Sequence, residues 1–342
     1  AQRGIMSTMA RLMDIGKIHR MRASLPEVSA VSWTDFMTGA DAGTHGIFGF
    51  TDFKPKSYAV RYPNFLDLKA PTIWDRLGAR GKRSIVINQP STYPARKIEG
   101  LLVSGFVALE MAKAVWPMSY RAALEQIGYQ IDVDVVKSRE NPEVLWRELN
   151  KVMAGRQKAL NAFWEEPWDY FEFILTGTDR LHHFLWRAYE DASHPAHQAF
   201  LDFYRYIDRL IGKILAAYQK LANTVSGFYI LSDHGFTGIV QEVYLNAWLE
   251  KNGYLRFLKP SPESLEDIHG RSKAFALDPN RIYLNLRNRF PKGAVERSAR
   301  RALREEIAGK LRGLEYRGRR VVREVFFAEQ VYAGPHVSKG PD

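Results

Sequence analysis

The chain has 342 residues, of which 46% are hydrophobic and 13% aromatic, and this composition excludes an intrinsically disordered protein. The absence of cysteine excludes disulfides, thiolate catalysis and cysteine-bound zinc. The formal net charge of +11 would suit a polyanionic partner. Much of this excess lies in residues 297–320, and basic residues on an amphipathic helix form a solvated face more often than a binding site. The charge is therefore no strong signal for a nucleic-acid partner.

No apolar run approaches the roughly 20 residues that a membrane-spanning helix needs, and the first residues are not a secretory signal. We therefore expect a cytoplasmic protein without a transmembrane segment. The chain starts without Met, and Ile5, Met9, Leu12 and Met13 already have helical spacing, so we expect it to be part of a longer sequence. Nothing in the sequence indicates the oligomeric state.

Helix and strand patterns alternate along the chain. Apolar residues at helical spacing predict helices at residues 34–39, 72–77, 141–164, 202–221, 245–252 and 294–311. Apolar runs predict strands at residues 84–88, 101–103, 170–175, 227–236, 281–286 and 321–327. The run at 227–236 has β-branched and aromatic members, which is typical of a buried central strand. This order predicts an α/β fold, a three-layer sandwich with a mostly parallel central sheet and helices on both faces.

The carboxyl-terminal part of the chain departs from this alternation. We predict an α/β core in residues 1–254, a small α+β insert or cap in residues 255–330, and a return toward the core in residues 331–342. The loops 106–134 and 255–290 contain no motif that identifies a substrate.

Acidic and imidazole side chains follow two of the predicted strands. Asp179 and His183 come after strand 170–175, and their spacing of four residues places both on one face of a helix. Asp233 and His234 come at the end of the run 227–236. Ligand-binding groups in open α/β sheets collect beyond the carboxyl ends of strands. These oxygen and nitrogen donors predict two divalent cations, zinc in the first place and manganese as the alternative.

A hydroxyl group completes this constellation. Ser29 precedes a predicted helix, where free N–H groups and the helix dipole favour an anion. The alternative is that Ser29, Ser32 and Thr34 only cap the helix. Two cations beside a serine hydroxyl are suited to phosphoryl transfer through a phosphoserine intermediate.

Three motifs resemble the alkaline phosphatase superfamily, and in particular its type I phosphodiesterase/nucleotide pyrophosphatase branch. Ser29 precedes the pair Thr38-Gly39 by nine residues, as the nucleophile of that branch does, and His45-Gly-Ile follows. Residues 177–186 and 232–236 resemble the two metal-ligand motifs of the family, and the likeness runs through nearly the whole chain.

The resemblance implies an alkaline phosphatase-like fold and assigns roles within it. Ser29 would be the nucleophile and a ligand of one metal, shared with Asp233 and His234. Asp179 and His183 would hold the other metal.

The chain also departs from the family pattern. The pattern requires an Asp at the end of an earlier strand and a His beyond residue 342, and neither Asp14 nor His336 stands at those places. We therefore expect each metal to lack one ligand here, and expect a longer sequence to supply it. Ser32 stands where nucleotide pyrophosphatases have an Asn that holds a phosphoryl oxygen, which leaves nucleotide specificity open. We expect His45 to serve in loop packing.

These observations predict a metal-dependent phosphohydrolase, a phosphodiesterase or nucleotide pyrophosphatase that acts on a small-molecule phosphate ester. A phosphomonoesterase, a phosphomutase or a headgroup phosphotransferase with the same metals is an alternative. A sulfatase is disfavoured because residues 29–33 lack the Cys/Ser-x-Pro-x-Arg context. A non-catalytic binding protein on a degenerate phosphatase scaffold is the alternative outside enzymes, favoured if the missing ligands are truly absent.

Overall fold

The structure is a computed structural model that describes residues 4–342. The chain forms two compact units. The first contains residues up to Arg22 and Trp74–Val240, and the second contains Ala23–Ile73 and Gln241–Asp342. Within the described residues no helix is long and apolar enough to cross a bilayer.

The helices and strands have the following bounds. The helices are α1 (Ser7–Ile15), α2 (Ser29–Thr38), α3 (Ala42–His45), α4 (Ile73–Gly78), α5 (Arg121–Gln126), α6 (Val135–Glu140), α7 (Pro142–Phe163), α8 (Gly177–Glu190), α9 (His197–Ala222), α10 (Leu245–Lys251), α11 (Arg300–Arg312) and α12 (Ala328–Val331). The strands are β1 (Asp52–Phe53), β2 (Val60–Arg61), β3 (Ser84–Gln89), β4 (Gly100–Ser104), β5 (Val115–Trp116), β6 (Tyr170–Phe173), β7 (Ala274–Leu277), β8 (Arg281–Leu284), β9 (Glu315–Tyr316) and β10 (Arg319–Arg320).

The first unit is built on a four-stranded sheet of order β5-β4-β3-β6. Strand β3 runs parallel to both of its neighbours, with Ser84 opposite Gly100 of β4 and Tyr170 of β6, whereas β5 is antiparallel to β4. Every residue of β3 and β4 is buried, as expected for parallel strands covered on both faces. The mostly parallel sheet predicted from the sequence is confirmed.

Helix α7 covers one face of this sheet. It begins where the sequence predicts, because the Asn141 side chain accepts a hydrogen bond from the Glu143 N–H at 2.8 Å and Pro142 occupies the first turn. Its predicted apolar face is buried, and Phe163 packs in one cluster with Ile87 of β3. The other residues of that face pack against α8 and α9; they are Leu145, Leu149, Val152 and Leu160.

The second unit has its core around the antiparallel hairpin β7–β8. Phe275, Tyr283 and Phe290 pack there as mutually perpendicular or stacked rings, and α11 covers them with Leu303 and Ile307. Strand β8 and helix α11 correspond to the predicted strand 281–286 and helix 294–311. The predicted strand 321–327 is wrong. Its alternating apolar pattern is interrupted by exposed charged residues at 323 and 324, and among residues 4–342 the strand pairing nearest to it is the two-residue ladder of β9 and β10.

Helix α11 carries much of the basic excess. Arg300 pairs with Asp342 at 2.7 Å, Arg301 with Glu305 at 3.0 Å, and Arg304 with Glu329. Acidic partners within the second unit therefore neutralise part of this basic face.

The predicted central strand at 227–236 is wrong. Tyr229 is 85% exposed, Ile230 and Leu231 are 47% and 39% exposed, and the segment between α9 and α10 has no regular secondary structure. A strand needs a neighbour that satisfies its backbone hydrogen bonds, and in the part of the chain that the structure describes β6 pairs only with β3. Asp233 and His234 therefore come from an extended loop.

The predicted division at residues 254 and 330 is not the division into two compact units. The predicted division separates a core from an insert. The two compact units do not test this division, so it stays a prediction.

A buried acid lies on strand β6 of the central sheet. Glu172 is 6% exposed and its Oε2 accepts a hydrogen bond from the Tyr170 hydroxyl at 2.7 Å. Burial raises the pKa of Glu172 from 4.5 to about 7, although the hydrogen bond from Tyr170 opposes the change. The folded state therefore holds this proton more tightly than the unfolded state.

A Glu172→Gln substitution is expected to change how stability depends on pH. Because the folded pKa is raised, the stabilisation from the protonated Glu172 is complete below pH 4.5 and is lost as the pH rises through about 7. The loss amounts to at most about 3 kcal/mol of unfolding free energy. Urea unfolding of both proteins at pH 5 and pH 8 measures it, and an equal pH dependence of the two would contradict it.

Candidate active site

The first pair of predicted ligands lies on α8, which follows β6. Asp179 is in the first turn of α8, where the helix dipole favours a carboxylate. His183 is one turn further along, and its Nε2 lies 3.5 Å from Asp179 Oδ1. The strand-to-helix connection thus presents both side chains on one face of the helix, as their spacing predicts.

The second pair lies on the loop between α9 and α10. The Ser232 hydroxyl donates to the His234 carbonyl at 2.6 Å and shapes the turn. The Nδ1 of His234 lies 2.8 Å from the Gly235 carbonyl oxygen, and because a carbonyl only accepts, Nδ1 carries the proton. In the neutral ring, Nε2 of His234 is then the nitrogen whose lone pair a metal would bind.

The structure brings these four side chains together within the first unit. His234 Nε2 lies 3.5 Å from Asp233 Oδ2 and 3.8 Å from Asp179 Oδ1. The Asp179 carboxylate oxygen thus lies between the imidazoles of His183 and His234.

These donor atoms are of the types that bind a divalent cation, and their separations are somewhat longer than those of ligands that share one. Asp179 Oδ1 is buried and has no hydrogen-bond partner among residues 4–342; the imidazole nitrogens of His183 and His234 lie 3.5 and 3.8 Å from it. Ligands that share a cation at bond lengths of about 2.0–2.1 Å lie about 3.3 Å or more from one another. Among residues 4–342, however, no three His, Asp or Glu side chains form a group that could hold a metal ion. The residues present fit pairs of ligands rather than closed metal shells.

The electrostatic surroundings keep Asp179 ionised. Burial by itself raises the pKa of this carboxyl, but the neighbouring His183, Arg180 and His234 outweigh burial and lower the pKa below its ordinary value. An ionised carboxylate is the form that binds a cation.

His182 differs in role from its neighbour His183. Its ring stacks on Phe200, and its Nε2 lies 2.5 Å from the Tyr204 hydroxyl. Burial lowers the pKa of His182, which favours the neutral ring. His182 thus packs against aromatic residues of α9 and is not part of the ligand pair.

Arg180 contacts the cluster and Asp132 holds Arg180 in place, and sequence reasoning missed both residues. Arg180 makes an ion pair with Asp132 and reaches Asp179 Oδ2 with its Nη1 at 3.4 Å. The only signal in the sequence was that Arg180 is adjacent to Asp179. Asp132 is 48 positions away, in a loop without a recognisable motif.

Ser29 lies in the second unit, where it is the first residue of α2. The helix begins five residues earlier than predicted and ends at Gly39, whose φ of +64° is the left-handed conformation that glycine adopts most easily. The Ser29 hydroxyl therefore stands at the positive end of a ten-residue helix. One turn on, the Ser32 hydroxyl is buried and has no hydrogen-bond partner in the part of the chain that the structure describes.

His45 has a packing role, as expected. Its ring is fully buried, and its Nδ1 accepts a hydrogen bond from the Ile47 N–H at 3.1 Å. Nε2 must then carry the proton, and it donates to Asp35 Oδ1 at 2.6 Å. Ser24 donates to the other oxygen of Asp35 at 2.5 Å. His45 thus ties the turn after α3 to α2.

Comparison with known proteins gives the family and the fold. The sequence profile of the family described as type I phosphodiesterase / nucleotide pyrophosphatase matches residues 1–340. A search of curated proteins finds no match.

Among solved structures, the chain resembles a phosphonoacetate hydrolase from Sinorhizobium meliloti 1021. The complex of that enzyme with phosphonoacetate has a TM-score of 0.58 at 18% sequence identity, over 96% of this chain and 71% of the other. Its complex with phosphonoformate has a TM-score of 0.58 at 16% identity, with the same coverage. At such identity the likeness shows the fold alone, which is that of alkaline phosphatase-like hydrolases.

The family match covers almost every residue of the chain, and the fold is the one that the three sequence motifs imply. The chain therefore belongs to the type I phosphodiesterase/nucleotide pyrophosphatase family of the alkaline phosphatase superfamily, and it is a hydrolase that acts on phosphate ester bonds.

Proposed function

We propose that the protein is a metal-dependent phosphodiesterase or nucleotide pyrophosphatase that acts on a small-molecule phosphate ester through Ser29. The observation that carries the proposal is the row of donor atoms from His183 through Asp179 and His234 to Asp233, at separations of 3.5 to 3.8 Å. The support for Ser29 is its place in the family motif and at the start of α2.

Each ligand pair would hold one divalent cation, zinc in the first place and manganese as the alternative. Asp179 and His183 would bind one, and Asp233 and His234 would bind the other together with Ser29. Such cations neutralise charge on a phosphoryl group and lower the pKa of a coordinated hydroxyl. The Gly235 carbonyl accepts a hydrogen bond from His234 Nδ1. The lone pair of the neutral ring is then on Nε2, where it would bind the metal.

The reaction would proceed in two displacements at phosphorus. Ser29 Oγ forms a bond to phosphorus while the bond to the leaving oxygen breaks with its electron pair on that oxygen, and the proton lost by Ser29 ends on the leaving oxygen. Water then forms a new bond to phosphorus, the bond to Ser29 Oγ breaks, and Ser29 recovers a proton. The sum is the consumption of one water molecule and the release of an alcohol or nucleotide and a phosphate ester. The buried Ser32 hydroxyl, one turn further along α2, would be a hydrogen-bond donor to the phosphoryl oxygens.

A small phosphonate is the second candidate substrate. It is favoured by the structural neighbour, a phosphonoacetate hydrolase in complex with phosphonoacetate or phosphonoformate. In this chain Ser32 stands where nucleotide pyrophosphatases have an Asn. This position therefore gives no reason to prefer nucleotides over other substrates.

A substrate panel tests the proposal. We expect hydrolysis of nitrophenyl phosphodiesters to exceed that of nitrophenyl phosphomonoesters and phosphonoacetate by at least about tenfold in kcat/KM, a difference of about 1.4 kcal/mol in activation free energy. Chelation should abolish the activity, and zinc or manganese should restore it. A preference for the monoester would favour the phosphomonoesterase alternative. Activity that survives exhaustive chelation would contradict the metal assignment, and no hydrolysis at all would favour a non-catalytic binding protein.

A further inference from the structure

We infer that the ion pair between Asp132 and Arg180 positions Asp179, so that its Oδ1 faces the cation site and its Oδ2 does not. The inference rests on the proposed function of Asp179 as a metal ligand. It assigns Asp132 and Arg180 as positioning residues, which act through Asp179.

The ion pair holds the Arg180 guanidinium in one place. Its Nε lies 3.0 Å from both carboxylate oxygens of Asp132, and its Nη2 lies 2.5 Å from Asp132 Oδ2. The Phe106 ring covers one face of the guanidinium, with its centroid 4.2 Å from Cζ. The Arg180 side chain is only 9% exposed. Two of its three nitrogens and one of its faces are therefore engaged within the protein.

The remaining nitrogen distinguishes the two oxygens of Asp179. Arg180 Nη1 forms a long ion-pair contact of 3.4 Å with Asp179 Oδ2, whereas Oδ1 lies near the imidazoles of His183 and His234 and has no hydrogen-bond partner among the described residues. With Oδ2 bound to a fixed cationic group, rotation of the carboxylate is opposed. Oδ1 is thereby kept available to a cation.

Asp132 is itself anchored to the central sheet. The buried Arg156 of α7 donates from Nη1 to the Gln130 carbonyl at 2.6 Å, and from Nη2 to the Ile131 carbonyl. The same Nη2 donates to Asn88 Oδ1 at 2.5 Å, at the carboxyl end of β3. The loop that carries Asp132 is thus clamped beside the sheet edge at which β6 delivers Asp179. Arg156 thus fixes the loop that carries Asp132 to the end of β3, and Arg180, paired with Asp132, orients the Asp179 carboxylate.

A direct contact between Arg180 and the substrate is the rival role. The engagement of Nε, Nη2 and one ring face leaves little of the guanidinium for a phosphate. The two roles differ in what they predict: positioning changes the affinity for metal in the absence of substrate, whereas direct contact changes KM and leaves metal affinity as it is.

An Asp132→Asn substitution tests the positioning role, because it keeps the shape of the side chain and removes its charge. Calorimetric titration of the metal-free full chain with Zn²⁺ is expected to show 10- to 100-fold weaker binding at one site, the range for residues that orient a metal ligand. Titration with Co²⁺ should show a changed absorption spectrum of the bound ion. The matched control is Asp134→Asn, which changes the same charge two residues away, where Asp134 caps α6 and pairs with Lys137. Asn also caps helices well, so this control should bind metal like the wild type.

A second variant keeps the test valid if Asp132→Asn folds poorly because Arg180 is left unpaired in a buried place. The double variant Asp132→Asn, Arg180→Gln removes both charges, and it should fold and still bind metal 10- to 100-fold more weakly. Thermal unfolding and circular dichroism establish the folding of each variant. Wild-type metal affinity in a folded variant, or raised KM with unchanged affinity, overturns the positioning role. Failure of the wild type itself to bind Zn²⁺ or Co²⁺ instead overturns the proposed function.

Discussion

A Ser29→Ala variant is expected to lose turnover of phosphodiesters by about 10³-fold or more, because alanine has no oxygen to attack phosphorus. The fold should be unchanged, since Ser29 is the first residue of α2 after the N-cap residue Val28, and alanine favours a helix. Steady-state kinetics with a nitrophenyl diester measures the loss, and circular dichroism verifies the fold.

The matched control is Ser29→Thr, which retains a hydroxyl at the same position. The threonine hydroxyl can attack phosphorus in the same way, so this variant should keep a measurable part of the activity that Ser29→Ala loses. Full activity of Ser29→Ala would mean that another group attacks phosphorus. Equal loss in both variants would mean that the volume at this position matters rather than the hydroxyl.

A His183→Ala variant is expected to lower kcat/KM by at least about 10²-fold and to lower the metal content by up to one ion per chain. A direct ligand should matter at least as much as the residues that orient it, for which 10- to 100-fold losses are usual. The His183 side chain is 55% exposed, so its removal should cost little stability. A loss of activity can therefore be attributed to the loss of the metal ligand. Elemental analysis of the purified protein measures metal content, and kinetics with added zinc measures whether excess metal compensates.

The neighbouring His182 supplies the control for this substitution. A His182→Phe variant keeps the stacking on Phe200 and loses only the polar contact with Tyr204. It should retain the metal and most of the activity. Loss of metal in His182→Phe with retention in His183→Ala would reverse the assignment of the two histidines.

Local patterns predicted much of the first unit. The long helix α7 was predictable because the Asn141-Pro142 start and the apolar face both lie within one segment. Strands β3 and β4 were predictable because parallel strands buried on both faces are short, continuous apolar runs. The pair Asp179 and His183 was predictable because two residues four positions apart lie on the same face of a helix.

Features that depend on distant partners were not predictable in this way. The run 227–236 has the composition of a buried strand, but a strand also requires a neighbour, and its apolar residues at 229–231 are exposed instead. The early start of α2 was missed because Ser, Val and Thr are modest helix formers, while burial of Val31, Trp33 and Met37 stabilises the helix in place of propensity. The pairing of Asp132 with Arg180 spans 48 positions, so no local pattern could indicate it.

The stereochemical course at phosphorus tests most directly whether hydrolysis passes through a covalent intermediate on Ser29. A phosphorothioate diester of known configuration, hydrolysed in isotopically labelled water, yields a product whose configuration records the number of displacements. Attack by Ser29 followed by attack of water inverts phosphorus twice, so we predict net retention of configuration. Net inversion would show a single displacement by water and would contradict a phosphoserine intermediate.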